Sequence, residues 1–213
     1  QKGDYETILS SFANREADIL VGTQMIVKGH DFPYVTLVGI LAADMSLNAN
    51  DFRAGERTFQ LLVQASGRAG RDTRPGEVII QTYRPDHYAI TAAMTQDYEA
   101  FYEEEIGYRS LLGYPPCGHM LAIMIESGSE RECSSCAGSL AEVLRNGIIS
   151  NVSLIGPTPA TISRMKDIYR YMIYIKSESV DMLVKIKDNA EEYCNTLTSD
   201  VRISFDLDPM NSY

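Results

Sequence analysis

At 213 residues, 45% of them apolar and 23% charged, the chain is long enough for one large or two small domains and has the balance of a soluble globular protein. No apolar run approaches the roughly 20 residues needed to cross a bilayer, and no basic-then-apolar leader opens the chain, so a cytoplasmic protein without a membrane partner is expected. The formal charge of −10 argues against wholesale wrapping of nucleic acid, yet residues 1–84 hold 9 basic and 10 acidic side chains against 10 and 19 in the remainder, which leaves room for local positive sites early in the chain.

Tyr5, Ile8, Leu9 and Phe12 recur at helical spacing within residues 4–14, and residues 18–23 then read as a short buried strand. Residues 35–41 and 77–82 are two further strand-length apolar runs, the latter after the turn signal Arg74-Pro75-Gly76. Continuous apolar strands separated by helical segments predict an α/β lobe whose parallel sheet is covered on both faces. A helix over 54–69, with Phe59, Leu62, Val63 and Ser66 on one side, delivers Gln64-Ala-Ser-Gly-Arg-Ala-Gly-Arg71 at its C-terminal end. Arg68 and Arg71 are fixed charges with forked donors, suited to a phosphate. The same residues also suit a helix closed by a glycine cap with two solvated arginines. The loop after the first strand offers Thr23 and Lys28 for a phosphate backbone and Asp31 for a sugar hydroxyl, and it equally suits a plain turn.

Pro85-Asp86 opens a linking helix over 85–113, with Ile90, Met94, Tyr98, Phe101, Tyr102 and Ile106 as its apolar stripe. Glu99 and Glu103–Glu105 form an acidic face, read as solvated. Gly113-Tyr114-Pro115-Pro116 ends it and marks a domain boundary. Beyond it, strands at 119–125, 152–155, 168–175 and 201–207 alternate with helices after the capping box Ser129-Glu-Arg-Glu132 and from about 179 to 197. The order βαββαβ predicts a small α+β domain over 114–213, two helices covering one face of the sheet. Cys133-Ser-Ser-Cys136 lies within the apolar stripe of the first of these helices, so the pair is read as core and not as a metal site. Cys117 and Cys194 bring the total to four, too few for a disulfide scaffold, and all are read as reduced. Arg164, Lys166, Arg170 and Lys176, interleaved with Tyr169 and Tyr171, form a basic patch suited to DNA or to an acidic peptide, or simply a solvated hairpin.

In chain order, Thr23 with Lys28-Gly29-His30-Asp31-Phe32-Pro33, then Asp51-Phe52-Arg53-Ala54-Gly55-Glu56-Arg57, then Gln64-x-x-Gly67-Arg68-x-Gly70-Arg71 resemble motifs V, Va and VI of superfamily 2 helicases, in the form found in the PriA family of replication-restart DNA helicases. Tyr114-Pro115-Pro116, Gly156-Pro157-x-Pro159-Ala160 and Asp206-x-Asp208-Pro209 are similar to the C-terminal region of that family. The resemblance implies a partial second RecA-like helicase lobe over residues 1–84, with Arg71 as arginine finger, Arg68 beside it and Gln64 coupling nucleotide state to lobe closure. It implies Gly29 and Asp31 near ATP, and Thr23, Lys28 and Arg53 facing DNA, joined by Arg164, Lys166 and Arg170 of the C-terminal domain. Implied partners are branched fork DNA, single-stranded DNA-binding protein and other primosome proteins. Residues 178–181, Glu-Ser-Val-Asp, depart from the more basic pattern of better-known members, which weakens the case for an acidic tail binding there.

No Walker loop and no Asp-Glu-x-His box occurs, so ATP and Mg²⁺ would be held mainly by residues outside this chain, and the chain alone is not expected to hydrolyse ATP. The family's zinc cluster lies upstream of the matched stretch, and no zinc is expected here. A different class also fits: a non-catalytic protein-interaction adaptor built on a degenerate helicase lobe. A Walker loop encoded just before Gln1 would favour the motor, a start codon there the adaptor.

Overall fold

The computed structural model describes residues 2–26, 32–70, 75–147, 151–197 and 201–210. The chain divides into two compact units, Gln1–Ala49 with Ala54–Phe101, and Asn50–Arg53 with Tyr102–Tyr213.

The first unit runs α1 (Lys2–Ala13), a 3₁₀ turn (Gln24–Ile26), β1 (Leu37–Ile40), α2 (Asp44–Leu47), α3 (Ala54–Ser66), β2 (Glu77–Ile80) and α4 (Tyr88–Thr95), and includes the start of α5 (Tyr98–Leu112). β1 and β2 pair in parallel, from Leu37 opposite Glu77 to Ile40 opposite Ile80. A parallel pair needs a crossover, and α3 supplies it by burying Phe59, Leu62 and Ala65. With Ala89, Ile90, Ala93 and Phe101 these residues make the core of the unit, where the rings of Phe59 and Phe101 stack 4.3 Å apart.

Three expectations are corrected here. Residues 18–23 are not a strand; they pair with no neighbour among the described residues, and Ile19 and Val21 are 80% and 86% exposed. An apolar run becomes a strand only where a second strand accepts its hydrogen bonds, a condition outside the run itself. Cover on both faces is also not seen among the described residues: Leu37 and Ile79, on one face of the pair, are 56% and 53% exposed. The single linking helix is two. Gln96 adopts the left-handed conformation (φ 55°) and closes α4, and Asp97 Oδ1 then accepts from Ala100 N at 3.0 Å to start α5. Of the expected stripe Ile90 and Phe101 enter this core, whereas Met94, Tyr98 and Tyr102 are 68%, 62% and 49% exposed, so periodicity read across the break overstates the buried face.

The second unit contains β3 (His119–Ser127), α6 (Glu130–Gly147), β4 (Val152–Met165), β5 (Ile168–Ser177), α7 (Val180–Cys194) and β6 (Arg202–Leu207). They form one antiparallel sheet in the order β4-β5-β3-β6. This is the expected βαββαβ domain. α6 and α7 cover one face, burying Leu140, Leu144, Leu183 and Ile186 against Leu121, Ile123, Ile125, Ile173 and Ile175. β4 is longer than expected. Gly156-Pro157 and Pro159 would break a central strand, but β4 is an edge strand and absorbs them as register shifts after Ile155 and Pro159. The capping box forms by one arm: Ser129 Oγ accepts from Glu132 N at 3.4 Å, whereas the Glu132 carboxylate takes the Ser127 hydroxyl instead of the Ser129 amide.

Cys133 is fully buried and its thiol donates to Ile125 O at 3.2 Å, while Cys136 and Cys194 pack at the margin of the same core. Burial raises the pKa of all three, and that of Cys194 is pushed up to about 11 with Cys136 nearby as a further cause. Among the described residues no helix is long and apolar enough to cross a membrane.

Candidate functional site

The end of α3 sets the geometry of the Gln64–Arg71 element. After Ser66 the chain tightens, with Gly67 N donating to Val63 O and Arg68 N to Ala65 O, both at 3.0 Å. Gly70 N then donates to Val35 O at 3.0 Å, and the next residue, Thr36, accepts at its O from Glu77 N at 2.8 Å. Gly70 has a φ of +72°, and a Cβ there would stand 2.6 Å from Gly76 N, so only glycine lets the motif turn against the entry to the sheet. Gln64 and Arg68 are half-buried on successive turns of this end. Arg71, Lys28, Gly29 and Asp31 lie outside the described residues. Thr23 is exposed and starts the 3₁₀ turn, its Oγ1 accepting from Met25 N at 3.5 Å. A cavity of about 430 Å³ within this unit is lined by Arg15, Asp18, Phe32, Tyr34 and Thr36, with the Arg15 guanidinium 3.5 Å over the Tyr34 ring.

One residue at the carboxyl edge of the parallel pair is not marked by any of the sequence motifs. Asp44 is buried after β1, and its carboxylate accepts from Tyr83 N at 2.8 Å and from the Thr82 hydroxyl at 2.7 Å. Ala43 N donates to Gln81 O at 3.0 Å beside it, so the segments leaving the two strands are tied together where α/β sheets place ligands. The available signal was an acidic residue immediately past an apolar strand run. The bond from Tyr83 N, followed by that from Thr82, holds the Asp44 carboxyl below its usual range. A depressed carboxylate contributes stability that is fully present above the unfolded-state value, about 4, and is lost as pH falls through the lower folded value. Asp44→Asn is therefore expected to lower the melting temperature at pH 7 and to flatten its dependence on pH below about 4. Equal melting temperatures for variant and wild type across that range would contradict the clamp.

Arg53 precedes the thirteen-residue α3 and Arg68 follows it. An Asx turn holds the backbone of Arg53, whose N donates to Asp51 Oδ1 at 2.9 Å, while its Nη1 lies 3.1 Å from Met210 Sδ. Beside it Phe52 stacks on Tyr114, ring centroids 5.0 Å apart and 5° from parallel, with the Arg53 and Arg109 guanidiniums 5.3 and 5.4 Å from the Phe52 centroid.

The basic patch of the second unit is divided by the strand alternation. Lys166 and Asp167 form the β4–β5 turn with φ of 51° and 63°, and Arg164 Nη2 meets Asp167 Oδ1 at 2.6 Å while its guanidinium lies 5.1 Å from the Tyr169 ring centroid. Arg170, the next residue of β5 after Tyr169, points to the opposite face, in register with Glu126 of β3. Its Nε and Nη2 are buried and find no hydrogen-bond partner among the described residues. Lys176 leaves the patch altogether: its Nζ donates to Leu112 O at 2.7 Å and lies 4.3 Å from the Tyr114 ring centroid, and burial lowers its pKa. The structure thus brings Arg164 and Lys166 together at an exposed hairpin tip and leaves Arg170 apart from them.

Residues 110–210 match the family model described as the primosomal protein N C-terminal domain, and residues 1–73 match the helicase conserved C-terminal domain. Among curated relatives the chain is 43% identical over 211 residues to the replication restart protein PriA of Bacillus subtilis, covering 98% of the chain and 26% of the relative. It is 39% identical to the protein of that name from Synechocystis sp. (99% and 25%) and 40% identical to that from Chlamydia pneumoniae (100% and 28%). The chain spans about a quarter of the length of these relatives.

Proposed function

From the premise that the chain belongs to the PriA family of replication restart proteins, we propose that it supplies the second motor lobe and the C-terminal domain of an ATP-dependent DNA helicase that acts on stalled forks and starts primosome assembly. The observation that carries this reading is the order of the two matches, a helicase C-terminal domain over residues 1–73 followed by the primosomal C-terminal domain over 110–210. In this reading Arg71 stabilises charge on the transferred phosphoryl group, with Arg68 beside it and Gln64 linking the nucleotide to lobe movement. Gly29 and Asp31 lie at the nucleotide, and Thr23 and Lys28 bind the DNA backbone. ATP and Mg²⁺ are held mainly by residues of the longer protein, as is zinc. Forked DNA, single-stranded DNA-binding protein and primosome proteins are the partners. The full-length protein is expected to hydrolyse ATP on addition of forked DNA and to unwind it; absence of DNA-stimulated hydrolysis would overturn the motor reading.

The hairpin tip makes the DNA part separately testable. Replacing Arg164 and Lys166 with Glu is expected to weaken binding to forked DNA and to reduce the slope of log affinity against log salt by about 0.7–0.9 for each phosphate that is no longer neutralised. Arg170→Glu, on the other face of the sheet, is expected to contribute separately. Fluorescence anisotropy at several salt concentrations measures both, and unchanged affinity and slope would remove the hairpin from the DNA surface.

A further inference from the structure

The β4–β5 hairpin outruns the sheet it belongs to. The ladder of β5 with β3 ends at Ser127 opposite Tyr169, so Arg164, Met165 and Ile168 extend past it on a two-stranded prong. Its turn at Lys166 and Asp167 is closed by the ion pair of Arg164 with Asp167 at 2.6 Å. Strand alternation sorts the side chains of the prong. Tyr169 packs against the helix-covered core, with Arg164 opposite it in register. Met165 and Ile168, the next register pair, therefore lie on the other face, which Arg170 shares. On that face Ala160 is buried against Ala122 and Met172 where β4 bulges, and Ile162 follows it. Ile162, Met165 and Ile168 are 59%, 50% and 38% exposed. Behind them Arg170, Glu126 and Arg202 lie in register across β5, β3 and β6, two guanidiniums to one carboxylate.

Exposed apolar residues scattered singly are ordinary, but a register pair on a projecting tip, with cations beside and behind it, makes one patch. Peptides bind in grooves or along strand edges, and this tip is convex. Nucleic acid offers what the patch lacks, apolar base faces next to a phosphate backbone. Side chains such as Ile and Met enter between base steps as wedges, and a branch point, where bases are already unpaired, resists this least. We propose that the hairpin tip is a wedge for the branch point of forked DNA: Met165 and Ile168, with Ile162, contact unstacked bases where the strands part, while Arg164, Lys166 and Arg170 hold the flanking phosphates. This role rests on the reading of the hairpin as a DNA surface and adds what that surface distinguishes, a branch from an unbranched duplex.

The full-length protein, without nucleotide, is titrated onto a fork carrying 2-aminopurine at the branch, a base that brightens when it unstacks. Wild type is expected to raise the fluorescence on binding. Met165→Ser with Ile168→Ser is expected to abolish the rise and to lower the preference for fork over unbranched duplex about tenfold. The slope of log affinity against log salt is expected to be kept, because no phosphate contact is removed. Met165→Leu with Ile168→Leu, which stays apolar, is expected to behave as wild type. A serine pair with the wild-type rise and fork preference would overturn the wedge, and so would equal losses on fork and duplex, which would leave the hairpin a backbone grip. Loss of binding to an acidic, apolar peptide with fork binding untouched would give the tip to a protein partner and overturn it too. The Glu replacements of Arg164 and Lys166 keep the two readings apart: if they leave fork affinity and slope unchanged, the DNA surface itself fails and the wedge with it.

Discussion

Replacing Arg71 with Ala in the full-length protein is expected to lower DNA-stimulated ATP hydrolysis on the order of 10³-fold, with little change in nucleotide affinity. The reason is one of timing. A guanidinium that meets charge developing on the transferred phosphoryl group acts in the transition state, so its loss falls on turnover more than on binding. Arg71→Lys is expected to recover little, because an ammonium keeps the charge but not the planar fork. The bond from Gly70 N to Val35 O fixes where the chain leaves the end of α3, as far as Gly70. Single-turnover hydrolysis with saturating ATP and forked DNA measures the effect, and a rate within a few-fold of wild type would transfer the role to another residue.

The second large effect concerns stability. Glu105 and Arg109 form an ion pair one helical turn apart in α5, with both side chains only 9% exposed. Arg109→Leu leaves the Glu105 carboxylate buried without this counter-ion, removes a donor to Pro115 O and strips one cation from Phe52. Breaking such a pair from one side costs about 3–5 kcal/mol, because the remaining charge has lost water as well as its counter-ion. Removing both charges together, Glu105→Leu with Arg109→Leu, is expected to recover most of that loss, since two apolar side chains leave no buried charge behind. Urea unfolding followed by circular dichroism resolves the two cases, and a double variant as unstable as the single one would show that packing by Arg109, and not charge, dominates.

What the sequence determined by itself was whatever depends on neighbours along the chain. The Ala137, Leu140 and Leu144 stripe of α6, the apolar runs of β1, β2, β3 and β5, and the order βαββαβ follow from periodicity, because a helix or strand places its own residues on a face whatever lies opposite. The helicase-like motif order was legible by resemblance to the family, since the motifs are runs of residues adjacent in sequence. What only the tertiary structure decided was every feature whose partner is remote in sequence. Residues 18–23 have strand composition but no ladder, Asp44 reads as an ordinary loop acid until Thr82 and Tyr83 meet it, and Arg164 and Arg170 separate because strand pairing sends alternate side chains to opposite faces. Phe52 reads as part of a motor motif, yet Tyr114 and Arg109, some sixty residues on, decide what it touches. Local geometry is written in spacing; a hydrogen bond, a stack or an ion pair needs a second partner, and folding brings that partner in from elsewhere in the chain.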